Sequence, residues 1–203
     1  MLRIHHAPRS RSSRIIWLLE ELGADYEIVY TDIERQDGSG GEDPANPHPD
    51  KKVPALVDKR PEGGGQVITE SAAIVLYLTD LHPEANLGPK PGDAKRGEFL
   101  TWLFYYSGVV EPVVTIEFAG LSEHPALIRS FRGRAEMERR ILDALKKGPY
   151  LLGNEFSSAD ILIASLGAWA RQMLPTGKLV DDYLARCNAR PALKASFAKD
   201  SPR

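Results

Sequence analysis

The sequence holds a single cysteine, Cys187, in 203 residues. One thiol cannot form a disulfide, a C-x-x-C redox pair or a cysteine-based zinc site within the chain, so dithiol chemistry is excluded. An excess of charge of one sign is also missing: 26 Lys and Arg stand against 28 Asp and Glu, a net charge of −2. Nonspecific grip on nucleic acid or anionic lipid needs a strongly basic face, which argues against either partner. The N-terminus, Met1-Leu2-Arg3-Ile4-His5-His6, lacks the apolar h-region of a signal peptide. Toward the other end the longest uncharged run, Ile161 to Ala170, falls well short of a bilayer. A soluble, cytoplasmic protein is the expectation.

What is present changes texture once along the chain. Leu2 to His6 reads as a short strand, and Ser12 to Leu22 carries Ile15, Ile16, Leu18, Leu19 and Leu22 at helical spacing. Gly23 stands where a left-handed C′ residue closes a helix. Tyr26 to Thr31 alternates like a half-buried strand, followed by a polar Gly-rich loop that has room for a short helix. Pro54 to Val57 and Gln66 to Thr69 read as strands, and Glu70 to Leu81 as an apolar helix. His82 to Gly92 is rich in Pro and Gly, and everything beyond it is helical: Asp93 to Phe118 with a kink at Pro112, Pro125 to Lys147, Ser157 to Met173, Gly177 to Asn188 and a final short helix. The charges divide as well. Residues 1–82 hold 9 basic against 14 acidic groups, and 83–203 hold 17 against 14. The economical reading is an α/β domain over 1–82, a linker over 83–92 and an all-α domain over 93–203.

Four segments hold candidate chemistry. The junction Ala7-Pro8-Arg9-Ser10-Arg11-Ser12-Ser13-Arg14 places three serines and three arginines where free N–H groups and the helix dipole favour an anion. Capping explains serine there without further assumption and is preferred on the residues alone. In Lys51-Lys52-Val53-Pro54-Ala55-Leu56, a cis Val53–Pro54 bond would turn the backbone of Val53 outward to pair with an extended peptide, although an ordinary trans proline is the expected state. Thr69-Glu70-Ser71-Ala72 again suits a cap, or a helix start that holds a carboxylate while Glu70 takes an ammonium group. Phe156-Ser157-Ser158-Ala159-Asp160-Ile161 has the spacing of a capping box with a hydrophobic staple and is structural. His5 and His6 are expected to pack rather than to react.

The order and spacing of these segments resemble the cytosolic glutathione S-transferase family over nearly the whole chain, and Ser10 to Leu22 is similar to a serine-type group found in bacteria and fungi. The resemblance implies an N-terminal thioredoxin-like (βαβ–ββα) domain, a helical bundle, a homodimer and detoxification of a small electrophile by glutathione acting as co-substrate, with no metal. It gives Ser10 the hydroxyl that bonds the glutathione sulfur, with Ser12 as the rival. Val53, before a cis Pro54, would bond the cysteinyl backbone, and Glu70 and Ser71 the γ-glutamyl end. Lys51, Lys52 or His48 would meet the glycyl carboxylate, because Asn46-Pro47-His48-Pro49-Asp50-Lys51-Lys52 departs from the family's Asn-Pro-x-Gly-Lys. Trp102, Tyr105 and Tyr106 are equally core or electrophile pocket. A glutathione-dependent peroxidase or disulfide reductase, and a non-catalytic scaffold, are the alternatives on the same fold.

Overall fold

The computed structural model describes residues 1–201 of the chain. They form two compact units, Met1–Ala85 together with the segment from Arg190 onward, and Asn86–Ala189. The first boundary lies within the linker read from the Pro and Gly content. The second differs from that reading, which gave everything after Gly92 to one helical domain.

In the first unit β1 (Leu2–His6) leads to α1 (Ser13–Leu22) and β2 (Tyr26–Tyr30); β3 (Ala55–Asp58), β4 (Val67–Thr69) and α2 (Ser71–Leu81) follow. The sheet order is β2-β1-β3-β4, with β1 and β2 parallel and the other two pairs antiparallel. This is the expected thioredoxin-like βαβ–ββα arrangement. Helix α1 buries Ile15, Ile16, Leu18, Leu19 and Leu22, the residues whose spacing announced it. Gly23 closes it at φ 59°. No helix or strand forms between β2 and β3, where the sequence left room for a helix.

The turn between β3 and β4 is built around a buried carboxylate. Asp58 is fully buried and takes Arg60 on both oxygens and the Tyr77 hydroxyl at 2.5 Å. The Arg60 hydrogen bonds outweigh desolvation and hold its carboxyl far below the usual range. A Cβ at Gly63 would lie 2.1 Å from Asp58 Cγ, so the position has no room for any side chain. Gly63→Ala is expected to lower stability by about 2–3 kcal/mol through displacement of this packed charge network, read as a shifted urea midpoint. An unchanged midpoint would mean that the turn relaxes freely.

The second unit contains α3 (Arg96–Tyr105), a π-helical turn at Tyr106–Val110, α4 (Glu111–Phe118), α5 (Pro125–Phe131), α6 (Arg134–Leu145), α7 (Ser158–Trp169) and α8 (Lys178–Asn188). Where the sequence predicts a kink at Pro112, the irregularity is a π turn at Tyr106–Val110, just before the proline and within the continuous helical run. The predicted helix 125–147 is two helices, parted at Arg132 (φ 62°) and Gly133 (φ 80°). The run Arg96–Phe118 spans 23 residues and is long and apolar enough to cross a bilayer by length and composition alone. Its apolar side has a use within the unit: Phe99, Trp102, Leu103, Tyr106, Val110, Val113 and Val114 are all buried.

The last helix, α9 (Pro191–Lys199), belongs to the first unit. Arg190 grips Glu21 on both oxygens at 2.6 and 2.7 Å, and Lys199 Nζ reaches Glu20 at 2.5 Å. The Tyr30 hydroxyl donates to the Lys199 carbonyl, so α1 and β2 both fix the end of α9.

Candidate active site at one end of the sheet

Strand pairing brings the three candidate segments together. His5 pairs with Ala55 and Ala55 pairs with Thr69, so the end of β1, the start of β3 and the end of β4 share one edge of the sheet. The segments that continue from those positions are Ala7–Ser12, Lys51–Pro54 and Glu70–Ser71.

At the first segment the predicted cap is absent. Ser12 precedes α1 but is already helical, and its hydroxyl makes no cap bond. Its Oγ instead accepts the Ala7 N–H at 3.2 Å and lies 2.8 Å from His6 Nδ1 and 2.7 Å from Ser10 Oγ. Ser12 is fully buried, whereas Ser10 is half-exposed. Ser10 Oγ also accepts the Ser12 N–H at 3.2 Å, a local turn that Arg9 enters with φ 56°. Ser13 Oγ donates to Asp200 Oδ1 at 2.6 Å, and the Arg9 N–H reaches the same oxygen at 3.0 Å.

At the second segment the Val53–Pro54 bond is cis, as the resemblance implied and contrary to the trans bond preferred on the residues alone. Val53 and Pro54 are buried. Among the described residues the N–H and C=O of Val53 have no hydrogen-bond partner, so its peptide edge is available. Lys51 (φ 53°) turns its ammonium onto the carbonyls of Asn46 and Pro44 at 2.8 and 3.3 Å. His48 is buried and its Nδ1 accepts the Asp50 N–H. Lys52 is exposed, with no partner for its ammonium among the described residues.

Glu70 stands at the start of α2 with φ 67° and ψ 121°, exposed, its carboxylate without a partner among the described residues. Ser71 is half-exposed at the first helical position. The opening N–H groups of α2 and the positive end of its dipole face the same place.

The remaining candidates belong to the second unit. Trp102 and Tyr106 are buried in the core of the helical unit, and the Arg140 guanidinium covers the half-exposed Tyr105 ring at 3.9 Å. A cavity of about 300 Å³ in that unit is lined by Lys95, Glu98, Lys147 and Leu151–Asn154, none of them a candidate. Of the cations in these segments, Arg14 is buried in α1 and Lys51 is spent on loop carbonyls. Cys187 is buried in α8. No group of three or more His, Cys, Asp or Glu among the described residues is placed to hold a metal.

Two further residues stand behind the candidate serines, His6 and Asp200. His6 was read as packing, yet it is fully buried with Nδ1 on Ser12 and Nε2 3.3 Å from Asp200 Oδ1. The alternation of β1 could have shown that His5 and His6 face opposite ways; no local signal ties Asp200 to either. Desolvation alone would raise the Asp200 carboxyl, but the His6 ring, the Ser13 hydroxyl and the Arg9 N–H outweigh it and hold it below its ordinary value. His5 bonds Thr31 instead, and burial first, then Arg3, push its ring down.

The comparisons with known proteins meet on this fold. The glutathione S-transferase N-terminal domain family matches residues 9–81, the stretch that carries Ser10, Val53, Pro54, Glu70 and Ser71. The disulfide-bond oxidoreductase YfcG of Escherichia coli is 28% identical, covering 98% of this chain and 95% of its own. Residues 9–81 are a glutathione S-transferase N-terminal domain. A glutathione transferase from Methylococcus capsulatus superposes with a TM-score of 0.75 at 26% identity, over 98% of both chains. A sphingomonad glutathione S-transferase complexed with glutathione gives 0.73 at 25%, also over 98% of both. The serine-containing junction, the cis proline and the Glu-Ser helix start thus stand in a glutathione S-transferase fold, with Ser10 and Ser13 half-exposed and Ser12 buried.

Proposed function

We propose that the chain is a glutathione transferase that binds glutathione along this edge of the sheet and presents its sulfur to Ser10 as a thiolate. The observation that carries the reading is the convergence of an accessible serine hydroxyl, an unpaired Val53 peptide and the Glu70–Ser71 helix start at one sheet edge. Each suits one part of the tripeptide. Val53 offers a donor and an acceptor to the cysteinyl backbone, as an added strand would receive them. Ser71 and the start of α2 suit the γ-glutamyl carboxylate, and the Glu70 carboxylate suits the ammonium. Lys52, with its ammonium unengaged, is the better partner for the glycyl carboxylate than Lys51 or His48, which the loop already uses. Ser10 rather than Ser12 is assigned to the sulfur because Ser12 is buried. The electrophile is a small molecule, and assembly as a homodimer is part of the reading.

A second reading has one specific support, the similarity to a relative named a disulfide-bond oxidoreductase. Cys187 is buried and single, so disulfide exchange on this chain would run through the sulfur of glutathione itself. Calorimetric titration with glutathione, then assay against aryl halides, peroxides and small disulfides, tests both. Saturable binding with turnover of halides supports the transferase, and turnover of disulfides alone supports the second reading. Binding without turnover of any of them overturns both and leaves a scaffold. Light scattering on the same sample at micromolar concentration would overturn the dimer if it found a monomer.

A further inference from the structure

We infer that His6 and Asp200 form a proton relay behind Ser10, so that the glutathione thiol is ionised by passing its proton inward rather than to solvent. The inference rests on the proposed glutathione site. It is carried by a continuous chain of short separations that capping or packing does not require: Ser10 Oγ to Ser12 Oγ, 2.7 Å; Ser12 Oγ to His6 Nδ1, 2.8 Å; His6 Nε2 to Asp200 Oδ1, 3.3 Å. Ser10 is its half-exposed end, and Ser12 and His6 are fully buried.

The charges fix the direction of the chain. Asp200 favours the tautomer with the proton on Nε2, although that pair does not meet hydrogen-bond geometry in the resting site. Nδ1 is then an acceptor and takes the Ser12 O–H, whose alternative, the Ala7 carbonyl, is farther at 3.3 Å. Ser12 Oγ in turn accepts the Ser10 O–H. A thiol arriving at Ser10 can only donate to its oxygen.

Ionisation reverses every bond in the chain. The S–H bond breaks and its proton joins Ser10 Oγ; the former Ser10 proton passes to Ser12 Oγ, and the Ser12 proton to His6 Nδ1. The products are a thiolate, two intact hydroxyls and an imidazolium beside the Asp200 carboxylate. No proton leaves the site, and each hydroxyl now points its O–H toward the sulfur. Asp200 stabilises the imidazolium, and hydrogen bonding to its carboxylate already favours the charged form. The other titratable or charged groups on the surrounding elements include Tyr30, whose ring meets His6 edge-on at 5.7 Å, Lys199 at the end of α9, Arg9 and Arg11 in the loop, Arg35 bonded to the Pro8 carbonyl, Arg14, Glu20 and Glu21 on α1, the Arg3–Glu27 pair across β1 and β2, and His5 beside His6 on β1. Lys199 is engaged by Glu20 and His5 by Thr31. His6 and Asp200 are positioning residues in this scheme, since neither touches the sulfur.

The test uses the unaltered chain first. Thiolate formation on binding is read from its ultraviolet absorbance, and proton release from calorimetry in buffers of different ionisation enthalpy. The relay predicts thiolate near neutral pH with well under one proton released for each thiolate formed. One proton released per thiolate overturns it. Asp200→Asn is then expected to raise the apparent thiol pKa by about one unit, a tenfold loss of thiolate at fixed pH, with glutathione affinity little changed. Ser12→Ala, which leaves the His6–Asp200 pair in place, should shift the profile the same way and serves if Asp200→Asn fails to fold. An unshifted profile in a folded variant overturns the relay while leaving the glutathione site standing. Absence of glutathione binding by the unaltered chain overturns both.

Discussion

Ser10→Ala is expected to lower glutathione turnover with an aryl halide about 30- to 100-fold near neutral pH, while affinity for glutathione stays within about threefold. A free thiol with a pKa of about 8.5 is mostly protonated at neutral pH, and lowering it by about 2 units takes roughly 2.7 kcal/mol of preference for the thiolate. One hydrogen bond to a charged acceptor contributes about 1.5–3 kcal/mol, and a nearby helix start about 0.3–1. On the proposed mechanism the Ser10 hydroxyl accounts for most of the effect, and its removal should cost nearly all of it. The peptide and helix contacts proposed for the rest of the tripeptide do not involve Ser10, which is why affinity should be spared. The deficit should narrow at high pH, where solvent ionises the thiol without help. Steady-state rates across the pH range check this. If Ser12→Ala produced the loss and Ser10→Ala did not, the hydroxyl assignment would be wrong.

Asp160→Ala should give the largest loss of stability, about 3 kcal/mol at about pH 5. Asp160 is fully buried at the start of α7, where one oxygen accepts the Ser157 N–H and O–H at 2.8 and 3.0 Å and the other the Leu151 N–H at 2.9 Å. Alanine strands two buried N–H donors, each worth about 1–3 kcal/mol. Desolvation raises the carboxyl to about 6 against these hydrogen bonds, from an ordinary 3.8. A raised folded pKa means that the folded chain holds the proton more tightly. The contribution of the group is therefore greatest below about pH 4 and declines as pH climbs through 6, by on the order of 3 kcal/mol. The variant lacks that decline, so its deficit should be larger at pH 5 than at pH 7.5. Chemical denaturation followed by circular dichroism at both values decides the matter. An equal deficit at the two would show that Asp160 titrates as an ordinary carboxyl.

What the sequence made legible was local. The Ser157–Asp160 box, the left-handed Gly23 and the buried face of α1 each lie within a few residues of the signal that announces them, and all three formed. The two halves of the α/β unit were readable for the same reason. The division at Arg132-Gly133 was also written locally, in a glycine inside an otherwise helical run, but the amphipathic charge pattern on both sides concealed it. The π turn at Tyr106–Val110 left no comparable mark, and Pro112 drew the expected irregularity two residues too far along. At the site, residue types and spacing marked Ser10, Val53 and Glu70. The buried half lay beyond reach, because Asp200 meets Ser13 across 187 residues of chain. The assumed cap failed for a related reason: His6 and Ala7 already claim the Ser12 hydroxyl.

The return of α9 to α1 also governs the order in which the molecule can be made. A ribosome releases the first 85 residues long before it has built Arg190, and the whole of Asn86–Ala189 comes between. At about 5–20 residues per second, those roughly hundred residues take on the order of 5–20 seconds. For that interval the nascent sheet and α1 stand without their last helix, and Glu20 and Glu21 wait for Lys199 and Arg190. The α/β unit is thus finished only after the whole of the helical unit has been made.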